Sequence, residues 1–255
     1  MRAPDVCCRA YRTLQHLRRV TLRCGTKQSL KRLTGTSDVL RTLRGAPRYE
    51  FLDIQYNSFH MVADDVAKLP LLPRLKGLSI MDTNAAAVVG NAAILKDLLQ
   101  YRLPMLAELG GLTRLELCVF EQGSGSHGLQ VCATLTQLTT LQRLRLDVVG
   151  QGKVRGRDCS HLKGMGTLTS LALRNMRGAV DDTVAGALAC NLQELRYLDL
   201  TGCAIHSDTP MPAFACMRHL TKLVLTGNRG SSSDSVALFQ RHRRAAGLPS
   251  VIVLK

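Results

Sequence analysis

Residues 195–203 read Leu-Arg-Tyr-Leu-Asp-Leu-Thr-Gly-Cys, and residues 220–228 read Leu-Thr-Lys-Leu-Val-Leu-Thr-Gly-Asn. The two stretches share one pattern, L-x-x-L-x-L followed by Cys or Asn at the ninth position. Leucines at positions four and six are two residues apart, so on an extended chain they fall on one face. Residues at positions three, five and seven then fall on the other.

The same hexad recurs along the whole chain. Earlier copies are Leu17/Val20/Leu22, Tyr49/Leu52/Ile54 (with Asn57 at the ninth position), Leu75/Leu78/Ile80, Leu112/Leu115/Leu117, Leu141/Leu144/Leu146 and Leu168/Leu171/Leu173. A weaker copy, Leu248/Val251/Val253, follows the last one quoted above. Successive starts are 32, 26, 37, 29, 27, 27, 25 and 28 residues apart. One hexad carries no information, but nine at a near-constant period define a repeat. No single unit can bury its aliphatic face alone, so the units must stack. Composition agrees: apolar residues make up 45% and aromatics only 4%, with no Trp. Such a core is built from Leu, Val and Ala in one slot used many times.

The repeat resembles the leucine-rich-repeat superfamily over residues 17–255, and its length resembles the ribonuclease-inhibitor-like and cysteine-containing classes. The resemblance implies an α/β solenoid, a curved horseshoe with a parallel sheet on its concave face and helices on its convex face. Helical return paths are predicted within Asp38–Leu43, Met61–Leu69, Ala92–Leu109, Gly128–Leu138, Asp181–Leu192 and Ser235–Arg244. Gly-rich stretches at Gln122–Gly128, Gly150–Gly156 and Gly227–Ser233 all follow hexads and read as strand-exit turns.

Function then belongs to the outward hexad positions. Those we assign to partner binding are Arg19, Thr21, Arg23, Phe51, Asp53, Gln55, Arg114, Glu116, Arg143, Arg145, Asp147, Arg174, Tyr197, Asp199 and Lys222. This surface mixes seven basic with four acidic residues. It carries Arg and aromatic side chains of the kind that anchor protein partners. We expect a monomeric protein-binding scaffold without catalytic activity, cofactor or metal. The Gly150-Gln151-Gly152-Lys153 stretch lacks phosphate-loop spacing, Cys159-x-His161 has no second ligand pair, and the His residues form no nucleophile–base couple. The nine Cys include no C-x-x-C and read as small packing residues. Their odd number fits a reducing, intracellular, cytoplasmic setting, with the cytoskeleton, axoneme or nucleus as further addresses. No apolar run is long enough to span a bilayer.

Charge is uneven. The net is +15 over 255 residues. Residues 1–48 hold twelve basic and two acidic residues, and the rest 22 basic and 17 acidic, so +10 of the excess sits at the N-terminal end. That end could meet an acidic partner; without a nucleic-acid motif or a set of stacking rings, nucleic acid ranks behind it.

Residues 1–16 form a unit of their own. Val6-Cys7-Cys8-Arg9-Ala10-Tyr11-Arg12-Thr13-Leu14 is similar to the closing helix of an F-box, V-C-x-x-W-x-x-L, with Tyr11 in place of Trp. The resemblance implies the substrate-recognition part of a ubiquitin-ligase adaptor. The alternative is a helical cap, the remnant of a preceding element, and either leaves room for a longer protein. Ran-activating proteins share this fold class, which implies small-GTPase regulation as another reading, although no motif carries over residue by residue.

Overall fold

A computed structural model describes residues 19–24, 50–56, 74–82, 111–121, 131–150, 159–230 and 232–255. Among them nine strands form one sheet in strict chain order, and every neighbouring pair is parallel. They are β1 (Arg19–Cys24), β2 (Phe51–Tyr56), β3 (Gly77–Asp82), β4 (Arg114–Glu121), β5 (Arg143–Gly150), β6 (Ser170–Arg174), β7 (Tyr197–Asp199), β8 (Lys222–Val224) and β9 (Ile252–Leu254). The fold is a leucine-rich-repeat solenoid, one strand per repeat.

Register follows from the hexads. Position four pairs with position four from Val20 and Leu52 through Leu78, Leu115, Leu144, Leu171 and Leu198 to Leu223. From Leu52 onward these side chains are essentially solvent-free, each contributing roughly 2 kcal/mol of burial. A one-residue slip would turn the whole row outward. The last step departs from the expected copy. Leu223 pairs with Val253 and Lys222 with Ile252, so the ninth hexad starts two residues later than the leucine pattern indicates. A shift of two preserves the facing of each side chain, so Val251 is still buried.

Backbone hydrogen bonds enforce this register. The carbonyl of position two in one repeat accepts the amides of positions two and three in the next. Glu50 O takes Lys76 and Gly77, Thr113 O takes Gln142 and Arg143, and Thr169 O takes Arg196 and Tyr197. Thr221 O takes Ile252 N at 2.9 Å, which independently fixes the shifted ninth copy. Where position two is Thr, the hydroxyl adds a third bond to the same carbonyl, as with Thr221 Oγ1 to Arg196 O at 2.8 Å.

Strand exits also repeat. Position eight is left-handed in three successive repeats, at Asn175 (φ 59°), Gly202 (φ 64°) and Gly227 (φ 75°). Position nine then ties back to the previous repeat. Cys203 Sγ donates to Leu173 O at 3.2 Å. Asn228 Nδ2 donates to Leu200 O at 2.7 Å and Leu225 O at 2.9 Å, and its Oδ1 accepts from Ile205 N at 3.3 Å.

Return segments lie behind the sheet and pack on one another in chain order. They are α1 (Val131–Leu135), a 3-10 helix (Ser160–Gly164), α2 (Asp182–Asn191), α3 (Met211–Ala215) and α4 (Ser233–Ala245). Asp181 caps α2 by accepting from Val184 N, and Ser232 caps α4 by accepting from Ser235 N. Predicted returns at 181–192 and 235–244 coincide with α2 and α4, while the described part of the one at 128–138 holds only the single turn α1. Two short returns have no counterpart in the prediction, because a single turn offers too few positions to show a helical period. The predicted helices at 38–43, 61–69 and 92–109, and residues 1–16, lie outside the described residues.

The cysteine expectation holds in part. Cys132 and Cys159 occupy equivalent slots in consecutive repeats, buried, with sulfurs 3.8 Å apart. Burial pushes the Cys203 thiol up to about 12. Cys190 and Cys216, however, are exposed.

The last return rests on one buried cation. Arg243 of α4 has no exposed surface. Its guanidinium donates to Met217 O at 2.8 Å, Pro249 O at 2.9 Å, Ala215 O at 3.2 Å and Leu220 O at 3.3 Å. These carbonyls belong to the end of α3 and its following turn, and to the approach to β9. Burial pulls the guanidinium below its usual value, yet an arginine stays charged at ordinary pH. Arg243→Met, which keeps the packing volume and orphans the carbonyls, is expected to cost about 3 kcal/mol in urea unfolding. Asn228→Ala should cost about 2 kcal/mol through its three lost bonds. A loss under about 0.5 kcal/mol in either variant would show that the bonds contribute nothing net.

Candidate partner-binding face

Because register is preserved, outward positions line up in three rows that cross the strands about 4.8 Å apart. The position-three row runs Arg19, Phe51, Gly77, Arg114, Arg143, Ser170, Tyr197, Lys222, Ile252. The position-five row runs Thr21, Asp53, Ser79, Glu116, Arg145, Ala172, Asp199, Val224, Leu254. The position-seven row runs Arg23, Gln55, Met81, Cys118, Asp147, Arg174. Thr201 and Thr226 fall beyond the three-residue strands β7 and β8. The side chains of Arg19, Thr21, Arg23 and Gln55 lie outside the described residues.

Four residues of the middle row are recessed. Ser79, Ala172, Asp199 and Val224 are all buried although they point away from the core. Strands this close together let larger side chains of the flanking rows arch over small ones. Side chains also lie across strands within one row: a Cβ on Gly77 would stand 2.4 Å from the Phe51 ring. Phe51 therefore lies across the neighbouring strand instead of projecting, and the missing side chain at position 77 makes room for it.

Charges are paired along and across strands. Arg114 and Glu116, two apart on β4, meet through Nη2–Oε1 at 2.6 Å. Arg145 and Asp147 do the same on β5 at 3.2 Å. Asn175 Nδ2, at the left-handed exit of the next repeat, donates to the other oxygen of Asp147 at 2.8 Å. The Arg145 Nε is buried and has no hydrogen-bond partner.

Asp199 is the centre of the densest cluster. Its Oδ2 accepts from Arg174 Nε at 2.7 Å and Tyr197 Oη at 2.8 Å. Its Oδ1 accepts from Thr201 Oγ1 at 2.6 Å and Thr201 N at 3.0 Å. Burial alone would push this carboxyl up, but the bonds from Thr201, Tyr197 and Arg174 together outweigh it and hold it below the usual carboxylate range. Burial and the neighbouring carboxylate push the Tyr197 phenol up. Lys222 Nζ stands 5.7 Å from the centre of the Tyr197 ring, within cation–π reach. With no exposed surface, Asp199 meets a partner only through the Tyr197 and Arg174 that it holds in place.

Arg143, in contrast, is exposed on the position-three row. Three residues, Asn175, Ile252 and Leu254, escaped the sequence reading of the face, which had Thr201 as an outward position-seven residue. Asn175 and Thr201 complete the Asp147 and Asp199 clusters, and the ninth register sets Ile252 and Leu254 in the position-three and position-five rows. Counting the outward positions of the ninth hexad from Leu248, as for the other eight, would already have found the last two. Among the described residues, no group of three or more His, Cys, Asp or Glu is arranged to hold a metal, and no helix is long and apolar enough to cross a membrane.

A depressed carboxyl stabilises the folded state above its unfolded value, and that contribution is lost as pH falls through the folded value. Asp199→Asn should therefore lower stability by about 2–3 kcal/mol at pH 7. The gap from the parent chain should close below about pH 4, where an ordinary Asp takes up its proton. Urea unfolding of both proteins across that range checks it; a gap that stays constant with pH would show that the carboxylate charge is not what the cluster uses.

No family model and no curated protein matches the chain. Solved structures do resemble it. Internalin C2 from Listeria monocytogenes is 18% identical, with 78% of this chain and 70% of that chain covered and a TM-score of 0.45. A leucine-rich-repeat protein of Leptospira interrogans is 14% identical, with 86% and 56% covered and a TM-score of 0.40. The plant peptide hormone receptor RGFR1 in complex with RGF2 is 12% identical, with 94% and 32% covered and a TM-score of 0.42. Assignment of the fold rests on the chain's own evidence: nine parallel strands in chain order, in register on the leucines, with the position-nine side chains Cys203 and Asn228 tying their repeats to the one before.

Proposed function

We propose that this chain is a protein-binding scaffold whose partner docks on the open face of the sheet, contacting residues of the three outward rows. One observation carries this reading: a continuous, three-row surface of Arg, Tyr, Lys and small residues, held rigid by a sheet whose core uses none of them. A face that served only for solvation would need no such ordering. Tyr197 and Arg174, both tied to Asp199, are fixed in orientation before any partner arrives, which lowers the entropy lost on docking.

In its finer form the scaffold is the substrate-recognition part of a ubiquitin-ligase adaptor, with residues 17–255 as the repeat domain and 1–16 as the separate element. Val6–Leu14 supports this through its similarity to the closing helix of an F-box. Cys159, Cys190, Cys203 and Cys216 are thiols and not half-cystines, in keeping with a reducing, intracellular setting.

Affinity capture with the tagged full chain tests the scaffold reading. Arg143→Glu with Ser170→Arg, which reverses one charge and adds bulk on the same row, is expected to reduce retention of specific partners at least tenfold. Glu194→Arg, exposed in the turn before β7, should leave it unchanged. Equal retention by all three proteins would place binding elsewhere. Direct binding to a Skp-type linker protein, lost on replacing Val6 and Leu14 with Asp, would separate the adaptor from a plain scaffold.

A further inference from the structure

The open face has a direction along the solenoid. In its middle strands each carboxylate is already engaged from within and lies deeper than its guanidinium. Side-chain exposure is 33% for Arg145 against 10% for Asp147, and 31% for Arg174 against 0% for Asp199. The charge presented outward is therefore positive, even where the count of acids and bases is nearly balanced. Two further cations of the position-three row, Arg143 and Lys222, have no carboxylate partner among the described residues. Beyond Lys222 the surface turns aliphatic: Ile252 is 62% exposed and Leu254 42% exposed, next to Val224.

From this order we infer that the face takes an extended acidic peptide segment that ends in an aliphatic residue, laid across the strands from β5 to β9. The inference rests on the scaffold reading above and specifies its partner. Arg143 and Lys222 are three strands apart in one row, about 14 Å at the spacing of a sheet. An extended peptide rises about 3.3 Å per residue, so carboxylates about four residues apart reach both cations. One or two residues further on, an aliphatic side chain meets Ile252 and Leu254. Unpaired, outward cations attract such a segment and align it, while the aliphatic contact supplies non-directional burial. A nucleic acid fits less well. The one described ring near these cations, Tyr197, has its hydroxyl bound to Asp199 and Lys222 over it, so it offers no free platform for a base.

Fluorescence anisotropy with the full chain tests this. The probes are a fluorescein-labelled octapeptide of six Glu followed by two Leu, the same peptide with Lys for Glu, the same with Ala for Leu, and an eight-nucleotide oligothymidine. The acidic, Leu-ended peptide is expected to bind at least tenfold more tightly than the basic one and about fivefold more tightly than the Ala-ended one. Arg143→Glu with Lys222→Glu should weaken it at least tenfold and flatten its salt dependence, Arg143→Gln with Lys222→Gln should fall between, and Ile252→Asp should weaken it about fivefold. Acidic and basic peptides binding alike, tighter binding of the oligothymidine, or indifference to the charge reversals would overturn the proposal. Its failure is distinguishable from that of the scaffold reading. If partner capture is lost on Ser170→Arg yet unaffected by Arg143→Glu with Lys222→Glu, the face binds a partner of other chemistry. If Ser170→Arg also has no effect, the face itself is not the site.

Discussion

One bifurcated hydrogen bond per repeat sets everything else in this molecule. The carbonyl at position two receives two amides from the following repeat from Glu50 to Arg196, and Thr221 O receives one, from Ile252. It fixes how far each strand slides against the last, and so which side chains stack in the core. A leucine row without that ladder could tolerate slippage by two, since facing is conserved. At the ninth repeat the leucine pattern and the ladder disagree, and the ladder wins: Ile252 N finds Thr221 O, and Val253, not Val251, takes the leucine place beside Leu223. Apolar pattern chooses the face, and hydrogen bonding chooses the step.

The consequence for the open face is a division of labour. Core leucines point to the opposite face of the sheet, so the outward rows are free to carry partner chemistry. Within them a second division appears. Asp147 and Asp199 are recessed and held by Arg145, Asn175, Arg174, Tyr197 and Thr201. Their work is to orient cations and a phenol that stand further out. An acid in such a place raises the positive character of the surface it belongs to, because it anchors a guanidinium it does not outreach.

Strand positions were legible in the sequence because Leu, Ile and Val at spacing three and two leave a signal that repeats nine times. The helices of 182–191 and 233–245 were legible for the same reason, being long enough to show a period. Ser160–Gly164 and Met211–Ala215 were not, since one turn has no period to show. On the open face the membership of the rows could be counted off, but not the depth of each residue. Nothing in a string of letters says that Asp199 is sealed under its neighbours while Arg143 stands clear, because that depends on which side chains lie across adjacent strands. Phe51 over Gly77 is a case in point: a large ring and an absent one, twenty-six residues apart, become one surface only after pairing. Left-handed backbone at Asn175 was hidden too, because its equivalents at 202 and 227 are glycines and Asn is the less obvious residue able to adopt that geometry.

The strict chain order of the strands also bears on how the protein forms. Contacts between neighbouring repeats join residues about one repeat apart, typically 25–29 positions, and strands pair only with the repeat before and after. The cost of closing a loop rises only slowly with its length, so adding repeats does not lengthen the loops to be closed. Mean sequence separation relative to chain length, the quantity that slows folding in sheet proteins, falls as such an array grows. Although its architecture is dominated by a parallel sheet, this chain has the kinetic topology of a far more local fold, one that can begin at any well-made pair of repeats and extend outward from it.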